Sequence, residues 1–265
     1  MSNPILLDWQ GGLATVTLNR PDRANVLDAE TSPALIQIAR TLAERASSGQ
    51  LRAVLIHGRG PIFCAGGDIQ SFVSAGDDLA AVLDRDIPPL HEAIHTLATL
   101  PVPVVAAVNG PLGGGGIGLA LVADIVLASD SAKLRGGYAA IGLSPDVGVS
   151  WALTRLVGPM RAKQILFTPR AFTAQECLAF GLFAEVLPAD ELLPAAQALA
   201  RTLAQGATGS FQRIKSLVDG AAHRTLKEQL AREHQGMVES GCSHEAAEGV
   251  RAFLEKRAPR FGAAE

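Results

Sequence analysis

Glycine-rich turns are the parts of this 265-residue sequence whose residue types point most directly to chemistry. Residues 113–116 are four consecutive glycines between an apolar segment and a segment of small residues. Glycine lets a ligand approach the backbone closely, and the first N–H groups of a following helix remain free to bind negative charge. Such a turn could hold a phosphate or the oxyanion of a reacting thioester. A second glycine-containing turn lies at residues 63–68.

Two simpler interpretations of these glycines compete with an oxyanion site. Both stretches could be tight turns without a ligand, which is the favoured interpretation for an isolated glycine pair. The run at 113–116 could also bind phosphate as a nucleotide loop. However, it lacks the Gly-Lys-Ser/Thr ending of a Walker loop, and no Rossmann-type acidic residue follows a subsequent strand. We therefore disfavour nucleotide binding.

The elements that position these turns alternate between strands and helices. A hairpin is predicted within residues 5–18, a buried strand at 53–56, and a strand after Pro103 that leads into the glycine run. This alternation predicts a parallel α/β architecture over about the first 190 residues. The pattern is helical from about residue 191 onward, so we expect two regions, residues 1–190 and 191–265.

Some local boundaries are predicted from capping and breaker residues. Asp28 is a candidate N-cap for a helix that runs to about Ser47. Residues 71–100 are helical in pattern but contain Gly76-Asp77-Asp78 and Pro88-Pro89. We expect an irregular segment there, followed by a helix from about Leu90.

Composition excludes several classes of function. The formal net charge is −3 and no Lys/Arg block occurs, which argues against a nucleic-acid surface. The three cysteines form no Cys-x-x-Cys pair, which argues against a zinc knuckle or a disulfide framework. No basic-then-apolar signal segment and no apolar run of ~20 residues are present. We therefore expect a cytoplasmic protein that does not enter a membrane.

Four stretches, taken together, resemble the crotonase superfamily, also called the enoyl-CoA hydratase/isomerase family. They occur in the family's order and spacing, and the resemblance covers nearly the whole chain. A single stretch would be a weak signal, whereas four in order are specific. The stretches are residues 18–25 (LNRPDRAN), 63–69 (FCAGGDI), 108–116 (VNGPLGGGG, continuing to Ala123-Asp124) and 141–148 (IGLSPDVG).

The resemblance implies a fold, a substrate and an assembly. The fold would be the ClpP/crotonase-like α/β spiral of ββα units with a C-terminal helical trimerisation region. The substrate would be an acyl-CoA thioester, with coenzyme A as part of the substrate and no other cofactor or metal. The assembly would be a homotrimer or a dimer of trimers.

The resemblance also implies which residues bind the substrate. The amides of Gly67 and Gly115 would stabilise negative charge on the thioester oxygen, where loss of one donor typically costs ~3 kcal/mol. Arg23 would lie near a phosphate of CoA, and Lys256 would reach CoA from the C-terminal helix of the same or a neighbouring subunit. The remaining substrate-binding predictions are Ala24, Ala65, Asp68, Ile69, Gly114 and Tyr138.

The sequence departs from the hydratase pattern at both catalytic positions. Hydratases of this family carry two glutamates, and the corresponding positions here are Gly118 and Tyr138. Addition of water by that route needs both carboxylates, so ordinary enoyl-CoA hydration is disfavoured. Asp146 is retained at a place where some relatives use an aspartate as the base for double-bond isomerisation. One carboxylate is enough to move a proton between two carbons.

Several interpretations of these residues remain open from sequence alone. Asp146 could be the catalytic base of an isomerase, or only a helix N-cap after Pro145. The alternatives to isomerisation are hydration with a non-standard carboxylate and a catalytically silent acyl-CoA-binding protein. His91 and His95, four residues apart, could share a helix face like metal ligands, but no third ligand is evident and we expect no metal.

Overall fold

The computed structural model describes residues 3–261 as two sheets surrounded by helices. In chain order the strands are β1 (Ile5–Gln10), β2 (Leu13–Leu18), β3 (Ala53–Gly58), β4 (Val104–Val108), β5 (Leu112–Gly113), β6 (Ile125–Ser129), β7 (Lys133–Arg135), β8 (Phe172–Thr173) and β9 (Glu185–Leu187). The α-helices are α1 (Thr31–Ser47), α2 (Ile69–Ala75), α3 (Leu79–Ala98), α4 (Gly115–Leu121), α5 (Val149–Phe167), α6 (Ala174–Ala179), α7 (Ala189–Ala204), α8 (Thr208–Ala221), α9 (Leu226–Gly241) and α10 (His244–Leu254).

The larger sheet has the order β1-β2-β3-β4-β6-β9, and every pair except β1–β2 is parallel. The β1–β2 hairpin confirms the prediction for residues 5–18, with Gly11 in the left-handed region at φ +59°. The smaller sheet has the order β5-β7-β8. The predicted mixed α/β spiral is confirmed.

The central strands are buried on both faces, as parallel strands covered by helices should be. Every residue of β4 is buried. One face of the sheet packs on α1, α3 and α4, and the opposite face packs on α7. Since α4 follows β4 through the short strand β5, the glycine run lies at the carboxyl end of a central strand.

Two predicted boundaries are wrong. Helix α1 begins at Thr31 rather than directly after Asp28, although the Asp28 carboxylate still accepts hydrogen bonds from the amides of Glu30 (3.1 Å) and Thr31 (2.9 Å). Helix α3 begins at Leu79 rather than near Leu90, and Pro88 and Pro89 lie inside it. Proline removes an intrahelical hydrogen bond, but both prolines are exposed, and the following turns are held by packing against α1.

The C-terminal helices form a layer that begins on the sheet and extends away from it. Helix α7 packs its apolar side on the sheet, whereas α8, α9 and α10 have few buried residues. Arg52 connects this layer to the sheet, donating to the carbonyls of Ala204 (2.5 Å), Gly206 (2.7 Å) and Phe261 (3.1 Å). The predicted division into residues 1–190 and 191–265 stays a prediction. The outer ends of these two regions, residues 1–2 and 262–265, lie outside the residues that the structure describes.

No helix within residues 3–261 combines the length and apolar character needed to cross a membrane.

Candidate active site

The two glycine turns lie against each other. A Cβ atom on Gly66 would stand 2.7 Å from the carbonyl oxygen of Gly113 and 3.0 Å from the amide nitrogen of Gly115. The Gly113 amide donates to the carbonyl of Cys64 at 3.0 Å, which joins the turns through the backbone. Only a residue without a side chain permits this approach at Gly66, whose φ of +93° also favours glycine.

The amides of Gly67 and Gly115 are available to a ligand. Gly67 is bridged to Leu27, and the Leu27 amide donates to the carbonyl of Gly66 at 2.8 Å. Within residues 3–261, neither the Gly67 N–H nor the Gly115 N–H donates to a protein acceptor. Gly115 is the first residue of α4, where the backbone amides have no intrahelical partner. Their role as the two oxyanion donors stays a prediction.

Asp146 and Tyr138 form a hydrogen-bonded pair beside these turns. The Tyr138 hydroxyl donates to Oδ1 of Asp146 at 2.6 Å. Tyr138 is only 8% exposed, and a Cβ on Gly114 would lie 4.0 Å from its ring carbon Cζ. Burial, together with the negative charge of Asp146, raises the pKa of Tyr138 above its usual value. The phenol therefore keeps its proton and remains a donor to the carboxylate.

The interpretation of Asp146 as a helix cap is wrong. Helix α5 begins at Val149, its N-cap residue is Gly148, and no side chain caps it. The backbone carbonyl of Asp146 accepts from the Val149 amide at 3.0 Å, and within residues 3–261 its side chain accepts no hydrogen bond from the helix. Its carboxylate is thus held by Tyr138 rather than used by the helix.

Backbone atoms of Val147 occupy the space beside Gly118, the first of the two positions where hydratases are predicted to carry a glutamate. A Cβ atom on Gly118 would collide with the carbonyl oxygen of Val147, and it would lie 3.0 Å from Cγ1 of the same residue. Val147 itself has φ +51°, which is unusual for a β-branched residue. The turn that carries Asp146 therefore packs directly on α4, and this packing requires the glycine at position 118.

A cavity of about 1130 Å³ opens beside Asp146, between α3, α4, α5 and α8. Asp146, Val147 and Gly118 line one part of it, and a Lys215–Asp124 ion pair (2.9 Å) lies in another. Its remaining walls are mostly apolar, so this space suits an apolar group that extends from a reacting centre near Asp146.

Five of the residues predicted to bind CoA cluster around the start of α2. Arg23 donates to Oδ2 of Asp68 at 3.1 Å, and its side chain remains 42% exposed. Asp68 is the N-cap of α2 and accepts from the Ser71 hydroxyl at 2.7 Å. The Ala65 amide donates to the carbonyl of Ala24 at 3.0 Å. Ile69, the first residue of α2, is 49% exposed.

Lys256 is not bonded to this cluster in the described part of the chain. It follows α10, is exposed, and within residues 3–261 forms no hydrogen bond with the five clustered residues. Its predicted contact with CoA stays a prediction.

Two other candidate chemistries find no support in the geometry. Burial raises the pKa of the Cys64 thiol to about 12, so it is a poor nucleophile despite its place beside the glycine turns. In the described part of the chain, no group of three or more His, Cys, Asp or Glu side chains is arranged to hold a metal ion.

Sequence reasoning missed the contact that His91 makes. Its Nε2 atom accepts a hydrogen bond from the Val147 amide at 3.0 Å. The two residues are 56 positions apart, and the sequence suggests for His91 only a shared helix face with His95. No sequence pattern indicates a hydrogen bond between a helical side chain and the backbone of a distant turn.

Comparisons with known proteins identify the relatives of this chain. The enoyl-CoA hydratase/isomerase family matches residues 8–264. The chain is 38% identical to a probable enoyl-CoA hydratase from Rhodobacter capsulatus over 94% of each protein. It is 36% identical to the 1,2-epoxyphenylacetyl-CoA isomerase of Escherichia coli over 97% of each. The crystal structure of an enoyl-CoA hydratase from Polaromonas superimposes with a TM-score of 0.89 at 34% identity, covering 97% of this chain and 98% of that one.

Proposed function

Since the chain belongs to the enoyl-CoA hydratase/isomerase family, we propose that it isomerises the carbon–carbon double bond of an unsaturated acyl-CoA thioester, with Asp146 as the base. One observation carries this proposal: the Asp146 carboxylate is held by Tyr138 beside the glycine turns, and it borders an apolar cavity. The two positions that carry glutamates in hydratases offer no carboxylate here.

The reaction needs one base and two fixed donors. Asp146 removes a proton from C2 of a 3-enoyl thioester, and the electron pair delocalises onto the thioester oxygen. The amides of Gly67 and Gly115 stabilise that oxygen because they are oriented before the charge develops. The carboxyl proton of Asp146 exchanges with solvent before delivery, Asp146 then protonates C4, and the double bond ends between C2 and C3. No atom is gained or lost, and the carboxylate is regenerated.

Hydration is the alternative that relatives described as enoyl-CoA hydratases favour. It would need a second carboxylate near the reacting carbons. Asp68 is the acid within the glycine turns, but its oxygens already accept from Arg23, Ser71 and the Gln70 amide. Because these hydrogen bonds occupy the Asp68 carboxylate, it is a poor second carboxylate for hydration. This supports isomerisation over two-carboxylate hydration. A catalytically silent acyl-CoA-binding protein would retain the same fold and show neither activity.

Binding of the CoA portion is assigned to the cluster at the start of α2. Arg23 is half-exposed and carries a guanidinium group that can bind phosphate through charge-assisted hydrogen bonds. Substitution of Arg23 should therefore act mainly on KM.

The test of the proposed function is the Asp146→Asn variant, assayed with 3-hexenoyl-CoA for conversion to the conjugated 2-hexenoyl-CoA. Loss of the base should lower kcat by about 10²–10⁴-fold. Asp190→Asn, an exposed acid at the start of α7, is the matched control and should leave turnover unchanged. Undiminished turnover by Asp146→Asn would refute the assignment. Hydration of crotonyl-CoA by the wild-type protein at a comparable rate would favour the alternative.

A further inference from the structure

The turn that carries Asp146 has a strained backbone. Val147 lies at φ +51° and Gly148 at φ +72°, so two consecutive residues are left-handed. Glycine adopts this conformation freely, whereas a β-branched residue does so only when its surroundings impose it. Some group outside the turn must therefore stabilise Val147.

Two contacts stabilise Val147 from opposite parts of the fold. On the α4 side, Gly115 and Gly118 leave room for its side chain and carbonyl; a Cβ on Gly115 would stand 2.8 Å from Cγ2 of Val147. On the α3 side, Nε2 of His91 accepts the Val147 amide proton at 3.0 Å. The glycines supply space, and His91 supplies the directional bond.

We propose that His91 is a positioning residue for the base, an inference that rests on the proposed function of Asp146. The Val147 N–H belongs to the peptide unit that joins Asp146 to Val147. A hydrogen bond to this N–H fixes the plane of that peptide, and with it the direction in which the Asp146 side chain leaves the backbone. Displacement of a catalytic group by about 1 Å can lower a rate by ~10²-fold.

This role requires an acceptor at position 91. A neutral imidazole with its proton on Nδ1 presents an acceptor at Nε2. A glutamine can present its carbonyl oxygen instead, whereas leucine offers no polar atom and lysine offers only donors. His91 is exposed, so these substitutions do not create a cavity in the core.

The experiment compares His91→Leu and His91→Gln with the wild-type protein, using turnover of 3-hexenoyl-CoA. The leucine variant should lower kcat by about 10–10²-fold because the base is displaced. His91 also lines the cavity, so a rise in KM without a fall in kcat would report a lost substrate contact and overturn the positioning role. The glutamine variant should recover most of the lost kcat. Glu92→Leu, the next residue on α3 and outside the cavity lining, is the matched control and should match the wild type.

The outcomes separate this inference from the proposed function. Wild-type kcat in His91→Leu, or equal loss in the leucine and glutamine variants, overturns the positioning role. Should the leucine variant not fold, His91→Lys replaces it in the same comparison. In an Asp146→Asn background, His91→Leu should lower kcat no further; an additional loss also overturns the proposal. Full activity of Asp146→Asn alone would instead refute the proposed function.

Discussion

At the scale of single residues, the Tyr138–Asp146 hydrogen bond joins two residues of the proposed site. Tyr138 stands where a hydratase of this family carries a glutamate, and here its hydroxyl orients the one carboxylate that is retained. The sequence indicated both residues through the family resemblance. It could not indicate the bond, because that depends on how the short 3-10 turn Tyr138–Ile141 and the following loop fold back.

Tyr138→Phe removes the hydroxyl group and its hydrogen bond to Asp146 while keeping the ring. A hydrogen bond to a charged group contributes about 1.5–3 kcal/mol, so we expect kcat to fall by roughly 10–10²-fold. KM should change little, since the phenyl ring still fills the space. Steady-state kinetics with 3-hexenoyl-CoA measures both constants. An unchanged kcat would mean that the Asp146 carboxylate does not need Tyr138.

Arg23 forms an ion pair with Asp68 that the sequence did not indicate. Its guanidinium is predicted to bind a CoA phosphate, and the structure shows it bonded to Asp68, directly after Gly67. Arg23→Ala should raise KM for 3-hexenoyl-CoA by about tenfold with kcat nearly unchanged, because charge-assisted contacts to phosphate are lost. A fall in kcat at constant KM would assign Arg23 to the catalytic turn rather than to CoA.

At the scale of elements, the contact between α4 and the Asp146 turn explains why position 118 is glycine. The Val147 carbonyl occupies the space that any side chain at 118 would need. A glutamate at position 118 would collide with the Val147 carbonyl. The backbone of the Asp146 turn therefore excludes a side chain at this position. The sequence showed the missing glutamate but not the turn that replaces it.

Gly118→Ala should therefore displace the turn that carries Asp146. Overpacking against backbone atoms costs about 1–3 kcal/mol, and we expect a lower melting temperature together with reduced kcat. Gly241→Ala at the end of α9 is the control, since a Cβ there meets nothing within 4 Å. Wild-type stability and turnover in Gly118→Ala would contradict the packing described here.

Helix α3 marks the limit of local sequence reasoning at this scale. Its two prolines predict a helix from about Leu90, yet the helix starts at Leu79 and continues through both prolines, and its buried residues all lie from Leu90 onward. The capping box that begins α6 is local by contrast, since the Thr173 hydroxyl accepts from the Glu176 amide within a single helical turn. The local signal at Asp28 predicts a helix directly after that residue, whereas α1 begins at Thr31.

At the scale of the whole molecule, the order of strands and helices was predictable because parallel strands and their connections leave periodic apolar patterns. The C-terminal layer was predictable as helical, but its partners were not. Large apolar side chains remain exposed on this layer, which is the property expected of a surface that packs against another chain. They include Val218, Leu226, Leu230, Met237, Val250 and Phe253.

We expect these helices to mediate a homotrimer. Light scattering after size-exclusion chromatography should give about 83 kDa, for three chains of 27.6 kDa, or twice that for a dimer of trimers. Met237→Glu places a charge on the exposed apolar face and should weaken assembly. A monomer at 27.6 kDa in the wild-type protein would contradict this expectation.

Proton transfer by Asp146 is tested most directly by isotope incorporation during isomerisation. The wild-type protein is incubated with 3-hexenoyl-CoA in deuterated water, and the position of label in the product is read by mass spectrometry and NMR. Deuterium should enter at C4 of 2-hexenoyl-CoA and exchange at C2 of the substrate, and both signals should disappear in Asp146→Asn. Equal incorporation by the wild type and Asp146→Asn would contradict the account.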